Sequence, residues 1–495
     1  MQAIKDRYKY LFRSTKGLIL VAIALISIET AMFGFLSGPM AEWGVRDWWA
    51  NLLKMQLIEA DREGRIILLY HTIAMAVVAI EVYMVTALVP MDENEQVTIN
   101  GTITFGYIIS MVCGIIFGYF GHNYVFHGLF IFGQAIIFFA GLLLAKALWP
   151  WQKRYHTVDP EIASTKGKVD LERVAFFVVA AATLGSALFG AVTGSMWGNG
   201  HEAFLAEDLI REPTKTPLQL AIIGHLHIML TLIAAMLLLI LGKWVNFRGK
   251  LQKWAMPLMI TGTIIITLGV WSIIPYQPTA HLIINVGSFP VLIAALLLVI
   301  FGWRQQMRKY LAEKAIVKPT FGDRLIGIIH DPLKFGALWQ MVFMNFVVTL
   351  VGIFMAVKLD EIFRVWPARE ERIALTGHWH ILSGIIATII LLYYADIAGL
   401  KGKVRQVFGW IIILFSDLAF AAVSVFETKR LFVSEAAQQP LVNTVVLLGD
   451  IGLGTVLLAL AALMGWRLID LFKKKGRWTH ETEHPSLPVE EEVKQ

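Results

Sequence analysis

Long apolar runs, broken by short polar segments bearing Gly, Pro and charged residues, dominate the chain. A hydrocarbon core of about 30 Å takes roughly 20 apolar residues per helix, and that rule divides the sequence into about twelve spans. They run over 17–38, 65–90, 102–121, 125–148, 173–197, 217–242, 254–275, 280–302, 336–358, 372–397, 405–426 and 442–469. The expected fold is all-α, a polytopic membrane bundle of about twelve transmembrane helices. The first run is long and poor in small cleavage-site residues, so it reads as a retained helix rather than a removable signal.

The polar segments orient this bundle, because Lys and Arg concentrate in short cytoplasmic loops. Lys5, Arg7, Lys9, Arg13 and Lys16 precede helix 1, and further basic residues follow helices 4, 6, 8, 10 and 12. Both termini are therefore expected in the cytoplasm, with the chain multi-pass in the cell (inner) membrane. The loop after helix 2 departs from the pattern through Asp92, Glu93 and Glu95.

Composition agrees with this reading: 57% hydrophobic and 16% charged residues are too apolar for a soluble chain of this length. The net charge of +6 follows from the loop topology and implies no nucleic-acid partner. A single cysteine, Cys113, excludes an internal disulfide, a Cys-based zinc or iron–sulfur site and a c-type haem attachment. Any metal or haem falls to histidine.

The chain repeats itself. His71 and His225 are 154 residues apart, and His225 and His378 are 153 apart. His127 and His281 repeat the 154-residue spacing. The unit is four helices, giving repeats of roughly 1–150, 151–320 and 321–478 within one membrane domain over 1–478, followed by a disordered acidic tail over 479–495. With the N-terminus inside, even-numbered helices start at the outer side. His71 opens helix 2, His122 and His127 flank the start of helix 4, and His225 and His227 open helix 6. His281 opens helix 8, and His378 and His380 open helix 10. Ionisable residues inside membrane helices are costly and mark function, and these gather at one depth.

Spacing adds chemistry to that clustering. Two residues at i and i+2 on a helix stand about 200° apart, so His225 and His227, or His378 and His380, face opposite sides. A His-x-His helix suits two cofactors in adjacent interhelical spaces, and imidazole is an ordinary haem-iron ligand.

At these residues the chain resembles the catalytic subunit of the haem–copper oxidase superfamily, nearest its nitric oxide reductase branch. His71-Thr72, with Glu81-Val82-Tyr83 and Leu88-Val89-Pro90, is similar to that branch's helix 2, and Gly377-His378-Trp379-His380 with Tyr393-Tyr394 to its helix 10. The resemblance implies that His71 and His380 are the axial pair of a low-spin haem and that His378 ligates a second haem. It also implies that Lys429 and Arg430 hold haem propionates. Active members add one His on helix 6 and a His-His pair on helix 7 for copper or non-haem iron. Helix 7 here, Trp254 to Trp271, contains no His, and helix 6 lacks the expected Tyr or Glu.

The leading expectation is a respiratory-chain redox subunit that carries electrons through two or three b haems toward the outer side of a lipid bilayer. The electrons pass from quinol to a cytochrome c-type or other redox partner. His378 pairs with His225 or His227, His122 or His127 completes a third site, and His281 is an alternative to a helix-6 ligand. One competing function is a nitric oxide or oxygen reductase with an unusual metal site of His225, His227 and His281. Another is a haem-free proton-coupled transporter. Glu81, Asp417 and Asp450 are candidates for a proton relay or a quinone site.

Overall fold

A computed structural model describes residues 2–37, 39–54, 62–119, 124–196, 217–474 and 476–480. Twelve helical spans among them are long and apolar enough to cross a membrane. α1 spans Gln2–Arg13, α2 Thr15–Ser37, α3 Pro39–Glu42, α4 Val45–Leu53, α5 Arg62–Leu88, α6 Glu93–Tyr119 and α7 Tyr124–Ala147. α8 (Leu171–Met196), α9 (Pro217–Trp244), α10 (Lys250–Trp271), α11 (Gln277–Glu313) and the short α12 (Phe321–Ile329) follow. α13 (Pro332–Val342) and α14 (Thr349–Val357) form one span through a π-helical stretch at Phe343–Val348. α15 (Ala368–Ile397), α16 (Gly402–Thr428) and α17 (Gln438–Phe472) complete the series.

Two boundaries differ from the hydropathy reading for a physical reason. α6 begins at Glu93 rather than 102, because Glu93 and Glu95 occupy its first turn, where negative charge complements the helix dipole. α11 runs on to Glu313 rather than stopping at 302, carrying Arg304, Arg308 and Lys309 on a polar extension that ends with an i, i+4 Lys309–Glu313 pair. Thr479 and His480, expected in the tail, stand in a 3-10 turn at Arg477–His480, whose Trp478 is buried. The remaining tail residues lie outside the described ones.

The chain divides into two compact units, Met1–His156 with Ala180–Ala206 and Trp466–Gln495, and Thr157–Val179 with Glu207–Gly465. In the first, α6 and α7 pack at glycines: a β-carbon on Gly133 would stand 2.5 Å from Ser110 Oγ, and one on Gly106 2.9 Å from the Gly133 carbonyl. Small residues allow such close approach where lipid supplies no hydrophobic drive between helices. Polar side chains tie α5 to α6, with Tyr83 Oη and Thr104 Oγ1 at 2.5 Å and Thr86 donating to Asn100 Oδ1 at 2.9 Å. Arg7 of α1 donates to the Leu471 carbonyl at 2.7 Å, holding α1 at the end of α17.

In the second unit, α10 and α11 approach in the same way, a β-carbon on Gly262 falling 2.9 Å from the Gly287 carbonyl. At the other end of the sequence span, Arg405 at the start of α16 grips Asp331 before α13 at 2.7 Å and pairs with Asp396 of α15. Asp396 also accepts from Trp244 Nε1 of α9 at 2.6 Å. One guanidinium and two carboxylates thus join four helices.

Candidate histidine site

Three of the histidines occupy similar positions along their helices. His71 is the tenth residue of α5, His225 the ninth of α9 and His378 the eleventh of α15. They stand two to three turns inside their helices, about 14 Å along the axis, rather than in the first turn. α9 starts at Pro217, where the hydropathy span began, with proline accepted at the first position, whereas α15 starts at Ala368, ahead of its span, with Glu370 and Glu371 in its first turn. His127 is the fourth residue of α7 and His281 the fifth of α11. His122 lies outside the described residues.

Within the second unit, α9 and α15 bring histidines together. His227 meets Trp379 edge-on with ring centroids 5.3 Å apart, and Trp379 contacts His378 at 5.7 Å. His378 and His281 each lie within electrostatic range of His227. The sequence left the choice between His225 and His227 open. The ring of His227 meets Trp379 of α15, and His225 is set about 200° around the same helix.

Tautomer follows from hydrogen bonding. His227 Nδ1 lies 2.8 Å from the Ile223 carbonyl. A carbonyl only accepts, so Nδ1 carries the proton and Nε2 keeps its lone pair. That is the arrangement of a metal-ligating histidine, whose other nitrogen donates to a backbone oxygen. His378 turns toward the carbonyls of Leu375 and Ala374, although Nδ1 closes no hydrogen bond of normal geometry. Its opposite edge faces Gly352 of α14, where a β-carbon would lie 3.5 Å from Cδ2 and 3.6 Å from Nε2. Glycine there keeps the wall beside Nε2 thin.

The surroundings of the α15 pair are charged and buried. Glu427, near the end of α16 and 2% exposed, rests against Gly377; a β-carbon on that glycine would stand within 2.3 Å of its carboxylate. Among the described residues Glu427 Oε1 has no hydrogen-bond partner. Lys429, assigned by resemblance to a propionate, instead pairs with Glu370 and sits over the Phe426 ring at 4.7 Å. Arg430 is less engaged, with Nε unpartnered among the described residues and Glu435 3.9 Å from Nη2.

Of the other candidates, His71 belongs to the first unit and His380 to the second. Beside His71, Thr72 donates to the buried Glu29 of α2. Glu81 is buried in α5 with Oε1 unpartnered among the described residues. Asp417 accepts from Trp339 Nε1 at 2.7 Å and Gln340 Nε2 at 2.8 Å, which makes it a tie between α13 and α16, whereas Asp450 is exposed on α17. Among the described residues no three His, Cys, Asp or Glu side chains gather as a metal-holding set, so His225, His227 and His281 do not form one. A haem iron asks only two protein ligands, and His227 and His378 both lie against Trp379.

Sequence reasoning passed over Glu29 and Glu427, and quoted Trp379 only as part of the helix-10 motif. Glu29 carried a readable signal, a lone carboxylate inside an apolar run. Comparison with protein families, with curated proteins and with solved structures gives no match.

Proposed function

We propose that this chain is an integral membrane b-type haem protein, a redox subunit that carries electrons through two or three histidine-ligated haems. The observation that supports it best is His227, an imidazole with its Nδ1–H tied to Ile223, its Nε2 lone pair open, and His378 nearby across Trp379. A haem held by His227 and His378 would supply one-electron transfer at this place.

The chain's own residues prepare that chemistry. The Ile223 carbonyl orients the His227 ring and raises its basicity. Trp379 packs against both rings and limits their rotation. Arg430 offers a cation for an acidic substituent of the macrocycle, while Lys429 stays with Glu370. By the haem–copper oxidase resemblance, His71 and His380 would be the ligand pair of a low-spin haem. One cysteine leaves no c-type attachment on this chain. Onward transfer therefore goes to a partner cytochrome or other redox subunit, with quinol as the donor and the inner membrane as the setting.

Replacing His227 or His378 by alanine tests the assignment. Each variant is expected to lose one haem per chain by pyridine haemochrome, and the double variant the same single haem, because both ligands serve one iron. Full haem content in either single variant, or two separate losses in the double, would overturn it.

A further inference from the structure

The loop between α11 and α13 carries a feature the redox reading does not use. α12 is short but firmly built: Thr320 Oγ1 accepts from the Asp323 N–H at 3.2 Å, and the Asp323 carboxylate accepts from the Thr320 N–H at 2.8 Å. This capping box starts the helix at a set residue. Gly327 seats it on α11, where a β-carbon would lie 3.1 Å from Met307 Cα.

What the helix does not bury is apolar. Phe321 is 83% exposed and Val317, just before it, 90%. Leu325 and Ile326 are exposed as well. Lys314, Lys318 and Arg324 flank them and are exposed, while the one acid in the helix, Asp323, is held by the cap. A short helix with an exposed apolar arc edged with cations suits the boundary between lipid tails and headgroups. Its tethers keep it there. α11 ends at Glu313 and the next membrane-spanning segment begins at Pro332, so the linking chain cannot carry α12 far from the bilayer surface.

We propose that α12 is an interfacial anchor whose exposed face enters the adjacent leaflet and whose basic rim binds anionic phospholipid. The apolar arc supplies insertion and the cations supply lipid preference, since basic residues near a surface are attracted to acidic headgroups. The inference does not depend on haem.

The single cysteine makes a direct test possible. In a Cys113→Ala background, Phe321→Cys and Leu325→Cys carry nitroxide labels in the full chain, with Glu313→Cys as a water-facing control. The protein is placed in nanodiscs of phosphatidylcholine, with and without phosphatidylglycerol. Labels at 321 and 325 are expected to show an oxygen-to-nickel-chelate collision ratio several-fold above the control, rising with phosphatidylglycerol. Lys318→Glu with Arg324→Glu is expected to abolish that rise. A ratio equal to the control in both discs would overturn the proposal. So would an immobile label reached by neither reagent, which would mean that protein covers the face, or a lipid response that survives the charge reversal.

Discussion

At the scale of single residues, Gly377 and Glu427 offer a close juxtaposition. A side chain at 377 has no room while the Glu427 carboxylate rests there. Gly377→Ala is expected to destabilise the protein by about 1–3 kcal/mol, the usual cost of forcing extra volume into a packed site. Thermal unfolding in detergent measures this, and Glu427→Ala in the same chain is expected to return much of the loss. Failure of that rescue would place the cost elsewhere. The histidines were legible in the sequence because three of them recur at one spacing in apolar runs. Glu427 was not, because near a helix end it reads as a solvated carboxylate, and what buries it belongs to α15. The contact of His227 with Trp379 likewise was not, because the two are 152 residues apart in the chain.

Elements show where hydropathy suffices and where end chemistry takes over. All twelve spans were legible, since bilayer thickness sets the run length. The start of α6 was not, because acidic residues that look like a loop serve its first turn. α12 was missed altogether, being too short to span. Its cap makes a testable claim. Two hydrogen bonds from Thr320 hold the Asp323 carboxyl below its ordinary range. A carboxylate depressed on folding contributes stability that is present above its unfolded pKa, about 3.9, and is lost as pH falls through the lower folded value. Hydrogen exchange of the 320–329 backbone, corrected for intrinsic rates, is therefore expected to quicken as pH drops below about 4. Thr320→Ala should raise exchange at neutral pH and flatten that pH response. An unchanged acid response in the variant would contradict the role given to the cap.

For the molecule as a whole, polar ties inside each unit decide how apolar helices hold a defined arrangement. Arg405 joins α16, α15 and the start of α13, and through Asp396 reaches Trp244 of α9. Removing it leaves two part-buried carboxylates facing each other, so Arg405→Ala is expected to cost about 3 kcal/mol, read as a lowered unfolding temperature, while Asp396→Asn should cost less. Such ties place α9 beside α15, and with them His227 beside Trp379 and His378. The central claim is that this pairing, repeated in kind elsewhere in the chain, holds haem closed to outside ligands. The most direct measurement is haem per chain by pyridine haemochrome on the detergent-purified protein, with reduced spectra taken before and after carbon monoxide. Two to three b haems whose spectra ignore carbon monoxide are the predicted result; a carbon monoxide-reactive haem would contradict a closed conduit, and a chain without haem would contradict the account altogether.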